Sequence, residues 1–150
     1  MNKTDLSVAL AQQLLDRMEG TSEQFDVDVR YHFKTTLNRL AAGTTVGIAI
    51  LGEAVKMTMG GAGRAVLEAP GIGGKKQSME LQLKDNETSI VLRSIVDNTV
   101  IEAFAIHGRA GVSARSGSTY TTNSSETLRL VLLGEAPSSV DVSVFSLAWP

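Results

Sequence analysis

Apolar residues recur every fourth position near the start of the chain and every second position after it. The first pattern predicts one amphipathic helix over residues 5–19, with an apolar stripe formed by Leu6, Leu10, Leu14 and Met18. Gly20 follows the stripe and is a common helix stop. We expect the stripe to pack against a sheet or against a second chain.

The alternating pattern begins at Phe25, where apolar residues at odd positions up to Phe33 are separated by charged or polar residues. Such a period of two predicts a half-buried strand with one face in water. Further strands are predicted over residues 44–51, 54–59, 64–68, 78–84, 89–96, 99–107, 111–115, 128–133 and 140–149. The short connections Gly52-Glu53 and Asp97-Asn98 indicate hairpin turns and therefore antiparallel pairing.

The predicted fold is all-β, a two-sheet antiparallel β-sandwich of the jelly-roll or concanavalin type with one N-terminal α-helix. We expect two parts, a helical leader over residues 1–22 and the sandwich domain over residues 23–150. A chain of 150 residues with 43% apolar content can bury one sizeable core, which agrees with a single β domain.

Composition removes several classes of function. The net charge of −2, with scattered cations, argues against a nucleic-acid partner. The absence of cysteine excludes disulfides, thiolate metal sites and a cysteine nucleophile. No run of about eighteen apolar residues and no export signal are found in the sequence, so we expect a soluble chain with no membrane partner.

The most informative segment is the hairpin of residues 89–115. If Asp97-Asn98 forms its two-residue turn, Arg93 lies directly opposite Glu102. The two charges then share a face with Val91, Ile95, Val100 and Phe104. Because an ion pair in an apolar stripe costs desolvation, this face should be only partly buried, and Glu102→Ala should be destabilising if the pair is buried.

This hairpin also carries a family resemblance. The segment RSIVDNTVIEAF over residues 93–104, followed by Gly108 and Arg109, resembles without a gap a motif of the family-32 glycoside hydrolases, which include invertases and fructan-cleaving enzymes. Weaker similarity extends the match to roughly residues 24–150. The resemblance implies a structural motif formed by Arg93, Asp97, Glu102, Phe104, Gly108 and Arg109.

The resemblance further implies the C-terminal sandwich that these enzymes append to a five-bladed propeller holding the active site. The family's catalytic motifs, Asn-Asp-Pro, Arg-Asp-Pro and Glu-Cys, are absent from the sequence. Five blades would also need about 200 residues or more. We therefore expect no catalytic residues in this chain and a propeller that is encoded elsewhere or lost.

Other candidate sites have simpler explanations. Asp97 and Glu102 are two carboxylates, but the predicted register places them too far apart for a retaining glycosidase. His32 and His107 lack further ligands at metal spacing, so neither a metal nor a cofactor is predicted. Tyr120 and Trp149 could stack on a sugar ring, although core packing is the more common role of such residues.

Three functional hypotheses remain from the sequence. The leading one is an accessory domain that stabilises or dimerises a β-fructofuranosidase, with a cognate propeller domain or a homodimer partner. The second is a free-standing carbohydrate-binding module, and the third is a structural protein with a convergent sandwich. Membership of family 32 would imply a secreted or vacuolar enzyme.

Overall fold

A computed structural model describes residues 3–18, 24–106, 108–116 and 128–146 of the chain. It contains one α-helix, α1 (Lys3–Met18), and a short 3-10 turn at Leu37–Arg39. The strands of the described part are β1 (Gln24–His32), β2 (Thr45–Ile50), β3 (Glu53–Gly61), β4 (Arg64–Ala69), β5 (Gln77–Gln82), β6 (Ser89–Asp97), β7 (Val100–Ala105), β8 (Ala110–Arg115), β9 (Leu128–Leu133) and β10 (Ser139–Ser146).

The strands form two five-stranded sheets that pack face to face. The front sheet has the order β10-β1-β6-β7-β8, and the back sheet has the order β5-β4-β3-β2-β9. Neighbouring strands in both sheets pair antiparallel. The predicted two-sheet antiparallel sandwich with an N-terminal helix is confirmed.

Alternate residues of each strand point into the core between the sheets, as their period of two requires. In β1, Phe25, Val27, Val29 and Tyr31 are fully buried. The hydroxyl of Tyr31 donates a hydrogen bond of 2.6 Å to the carbonyl oxygen of Gly47 in the back sheet. Burial raises the pKa of this hydroxyl, so it stays protonated and keeps its role as a donor that joins the two layers.

Helix α1 packs against β9 and β10, the outermost strands on one side of the two sheets. Leu6, Leu10 and Leu14 are buried in the same core as the strands, so the predicted contact with a sheet is confirmed for these three leucines. The side chain of Met18 lies outside the described residues. Because an open strand edge invites pairing with another chain, the helix protects this side of the sandwich.

The opposite side is bridged by side chains that connect β5 with β8. The backbone N–H of Ser113 and its hydroxyl both donate to Oε1 of Gln77, at 2.8 and 3.1 Å. Nη1 of Arg109 donates to the carbonyl oxygen of Gln82 at 3.0 Å. These bonds link β5 to the segment of Arg109 and β8, so the two sheets are also connected on this side.

Two hairpin turns are displaced by one residue from their predicted positions. Ile50 pairs with Glu53, so the turn is Leu51-Gly52 instead of Gly52-Glu53, and both turn residues have positive φ. Asp97 pairs with Val100, so the turn is Asn98-Thr99 instead of Asp97-Asn98. Asn98 supplies the positive φ, 55°, at the first position of that turn, a conformation that asparagine tolerates better than most residues.

Candidate functional site

The outer face of the front sheet carries a row of neighbouring residues that crosses all five strands. The backbone register aligns Ser143 of β10, Asp28 of β1, Arg93 of β6, Phe104 of β7 and Gly111 of β8. We call these residues the central row. A carboxylate, a guanidinium and an aromatic ring lie side by side in this row, and a small residue lies at each of its two ends.

The predicted ion pair between Arg93 and Glu102 is wrong. Arg93 faces Phe104 across the β6-β7 ladder, and Glu102 faces Ile95. The reason is the displaced turn, because moving a two-residue turn by one position changes every cross-strand partner by two. Each side chain keeps its face under such a shift, so Arg93, Glu102 and Phe104 do share the outer face, which is partly exposed as predicted.

The guanidinium of Arg93 instead forms ion pairs with carboxylates on β1, the neighbour of β6 on the other side from β7. Its Nη2 and Nε atoms lie 2.8 and 3.0 Å from Oδ2 of Asp26. Its Nε also lies 3.8 Å from Oδ1 of Asp28. The side chain of Asp26 is only 7% exposed, whereas that of Arg93 is 56% exposed, so a half-exposed cation neutralises a buried anion.

Asp26 is a site residue that was not predicted from the sequence. Its place on the polar face of β1 predicted exposure to water, yet it is buried between β10 and β6. The sequence signal that could have identified Asp26 is its spacing of two from Asp28, which puts two carboxylates on one face of one strand. Their counterion could not be assigned from that spacing, because it comes from a strand 67 positions away along the chain.

The surroundings of Asp28 raise the pKa of its carboxyl group. Burial raises its pKa to about 6, and the charge of Asp26 and a hydrogen bond with it act in the same direction, while Arg93 opposes them. The Oδ1 atoms of both aspartates are buried, and neither has a hydrogen-bond partner of normal geometry among the described residues. A proton on Asp28 that is donated to Asp26 satisfies both groups, since two adjacent carboxylates ionise together only at a cost.

Asp28→Asn is expected to stabilise the protein near pH 7.5 and to have little effect near pH 4. The pKa of Asp28 is about 6 in the folded chain and lower in the unfolded chain, so its contribution to stability is present at pH 4 and is lost as the pH rises through 6. After a discount for solvent screening, we expect a gain of about 1 kcal/mol at pH 7.5. Urea unfolding of both proteins from pH 4 to pH 8 measures it. If the free energy of unfolding depends on pH equally in the parent chain and in Asp28→Asn, the proposed sharing of a proton between Asp26 and Asp28 is contradicted.

Asp97, Gly108 and Arg109, which also belong to the sequence motif, lie in or next to turns and have structural contacts there. Asp97 accepts hydrogen bonds from the side chains of Gln24 and Asn98, at 3.0 and 3.2 Å. Gly108 has a φ of 83°, which few residues other than glycine adopt, in the turn before β8. Arg109 forms an ion pair with Glu87 and thereby fixes the loop between β5 and β6.

The register also changes the relation between Asp97 and Glu102. Glu102 is a diagonal neighbour of Asp97 and lies closer to it than the predicted register allows. Diagonal neighbours on antiparallel strands are about 7–8 Å apart, which exceeds the separation of about 5 Å between the carboxyls of a retaining glycosidase. The arrangement therefore gives no support to a catalytic pair.

Several candidates from the sequence lie outside the described residues, namely His107, Tyr120 and Trp149. His32 is placed, and its Nε2 lies 2.8 Å from Oδ2 of Asp141.

Within the described ranges, no group of three or more His, Asp or Glu side chains is arranged to hold a metal ion. The same ranges contain no helix that is long and apolar enough to cross a membrane.

A groove of about 510 Å³ lies over the middle of the central row and is lined by Asp28, Arg30, Val91, Arg93, Phe104 and Gly108. A hollow of about 400 Å³ adjoins it and shares Val91, with the rest of its wall formed by Lys84, Asn86, Glu87, Thr88, Ser89 and Ile106. We call the first of these the outer-face groove. It combines two guanidinium groups, a carboxylate and an aromatic ring on rigid strands.

Solved structures similar to this chain include glycoside hydrolases. An exo-inulinase from Aspergillus awamori matches with 20% identity and a TM-score of 0.54, over 85% of this chain and 26% of that one. A fructan 1-exohydrolase IIa from Cichorium intybus in complex with 1-kestose matches with 13% identity and a TM-score of 0.56, over 87% of this chain and 32% of that one. At these identities the likeness establishes the fold, and the chain spans about a quarter to a third of either structure.

The search of curated protein sequences gave no significant match. The sequence model of the family described as "Glycosyl hydrolases family 32 C terminal" matches residues 2–146, which includes helix α1 and both sheets. All strands of the described residues belong to the two sheets of the sandwich, and none of them forms a propeller blade. The chain therefore belongs to the non-catalytic C-terminal β-sandwich domains of the family-32 glycosyl hydrolases.

Proposed function

We propose that this chain is an accessory domain that stabilises a family-32 catalytic propeller and that it also contributes to dimerisation of the enzyme. The observation that supports this proposal is the family match, which extends over nearly the whole chain. A domain that accompanies a catalytic propeller needs no reactive groups of its own. Its contribution is a rigid surface against which the propeller can pack.

The contacts at the sheet edges support this role. Helix α1 packs against β9 and β10, and hydrogen bonds link β5 to the β8 segment, which disfavours the addition of a partner strand at these edges. Contact with a propeller or with a second copy is then expected to use loops or sheet faces. Such surfaces are held in place by a core that all strands share.

The test compares a family-32 propeller, purified with and without this chain, together with the chain alone. We expect the chain alone to release no hexose from sucrose or inulin. With the chain present, the propeller should retain its activity to higher temperature. Light scattering should show the mass of a dimer in which each propeller carries one copy of this domain. The half-life of sucrose hydrolysis at elevated temperature is the main measurement.

Two results would contradict the proposal. Sucrose hydrolysis by the purified chain alone would show that it has its own catalytic site. An identical half-life of the propeller with and without the chain would show that the domain does not stabilise it. If the measured mass equals one propeller plus one domain, the domain does not dimerise the enzyme, and only the stabilising part of the proposal stands.

A further inference from the structure

We propose that the outer-face groove binds a neutral oligosaccharide. No residue of this groove was among the sugar contacts predicted from the sequence, which were Tyr120 and Trp149. The inference goes beyond the accessory role, since it requires only the surface of this domain. It depends on four properties of the groove, which are its charge balance, its apolar wall, its guanidinium donors and its size.

The charge balance favours an uncharged ligand. Arg30 and Arg93 line the groove together with Asp28, and Asp26 lies directly behind Arg93. At pH values above the pKa of Asp28, two positive charges face two negative ones. An anionic ligand would need an excess of cations, whereas a polyol needs donors and acceptors in equal supply.

The apolar wall of the groove is formed by Phe104 and Val91. Gly111 makes room for the ring, because a Cβ atom at Gly111 would lie 3.2 Å from Cδ1 of Phe104. The ring thus extends over a strand that has no side chain at that position. An aromatic surface beside polar groups suits a sugar, which presents C–H groups on one side and hydroxyls on its edge.

One of the two guanidinium donors of the groove, Arg93, is held in place before any ligand arrives. Arg93 is 56% exposed, yet its Nε and Nη2 atoms are tied to Asp26, so the rest of its guanidinium is presented in one orientation. Arg30 is exposed on the neighbouring strand β1 and lines the same groove. A planar guanidinium offers paired N–H groups that can donate to two adjacent hydroxyls, and preorganisation lowers the entropy lost on binding.

The size of the groove fits more than one sugar unit. The outer-face groove has a volume of about 510 Å³, and Val91 also lines the hollow of about 400 Å³. Small-molecule sites commonly occupy about 300–1,000 Å³. The hollow is lined by the uncharged polar side chains of Asn86, Thr88 and Ser89 and by the charged side chains of Lys84 and Glu87, so it offers further hydrogen-bonding groups near Val91.

The test is an NMR titration of the full 15.9 kDa chain with 1-kestose, cellotriose, maltotriose and xylotriose. At least one should cause saturable shifts in the amides of β1, β6 and β7. Arg30→Ala should weaken that binding about tenfold, the effect of losing one charge-assisted hydrogen bond. Phe104→Leu should weaken it as well, because leucine retains apolar bulk without the ring.

Arg129→Ala is the matched control, since Arg129 is an exposed strand arginine on the back sheet. It should leave the affinity unchanged. The proposal is overturned if no trisaccharide gives saturable shifts, if the shifts map to other surfaces, or if Arg129→Ala weakens binding as much as Arg30→Ala. These outcomes are read on the chain alone, so they are independent of the result of the propeller stability assay.

Discussion

Arg93→Ala is expected to lower the free energy of unfolding by about 2–3 kcal/mol at pH 7.5, because it leaves Asp26 buried without its counterion. The loss should be below the full cost of about 3–5 kcal/mol for a fully buried pair. Arg93 is half exposed, and the two aspartates can share a proton when the guanidinium is absent. Urea unfolding followed by circular dichroism measures the change.

The matched control for this substitution is Glu102→Ala. Glu102 lies on the same outer face and is exposed, so its removal should change the free energy of unfolding by less than about 0.5 kcal/mol. Arg93→Lys should fall between the two, because an ammonium group cannot reproduce both contacts to Asp26. A loss of 2 kcal/mol or more in Glu102→Ala would restore the ion pair predicted from the sequence.

Leu10→Ala is expected to cost about 2–5 kcal/mol of folding free energy, the range for truncating a buried leucine. Leu10 is 2% exposed and lies in the core shared by α1 and the sheets. Its removal creates a cavity where the helix meets β9 and β10. The free energy of unfolding, measured as above, gives the magnitude.

Val8→Ala is the control for Leu10→Ala, because Val8 lies on the same helix and is 66% exposed. The control should stay within about 0.5 kcal/mol of the parent chain, as surface substitutions usually do. If Leu10→Ala behaved like Val8→Ala, the helix would not be packed on the sandwich in solution. The apolar stripe would then be free for a second chain.

The secondary structure and fold class could be predicted from the sequence because they depend on local periodicity. The alternation from Phe25 to Phe33 predicted β1, and the later segments gave the remaining strands with bounds close to those observed. The leucine stripe predicted the helix and its burial. These patterns reflect the two repeat lengths of regular structure and need no knowledge of which strands are neighbours.

The pairing of charges could not be predicted in the same way. The partner of Arg93 depended on the turn at Asn98-Thr99, where a shift of one residue exchanges Glu102 for Phe104. It depended further on the adjacency of β1 and β6, which is set by the whole sheet order. Local chemistry allowed either turn, because both Asp97 and Asn98 tolerate positive φ. The groove follows from the same long-range pairing.

The packing of α1 on β9 and β10 limits how copies of this domain can associate through these two strands. Main-chain pairing there would require α1 to detach first. Fibril growth through β9 or β10 should therefore follow the stability of helix docking, and substitutions that weaken that docking should speed it.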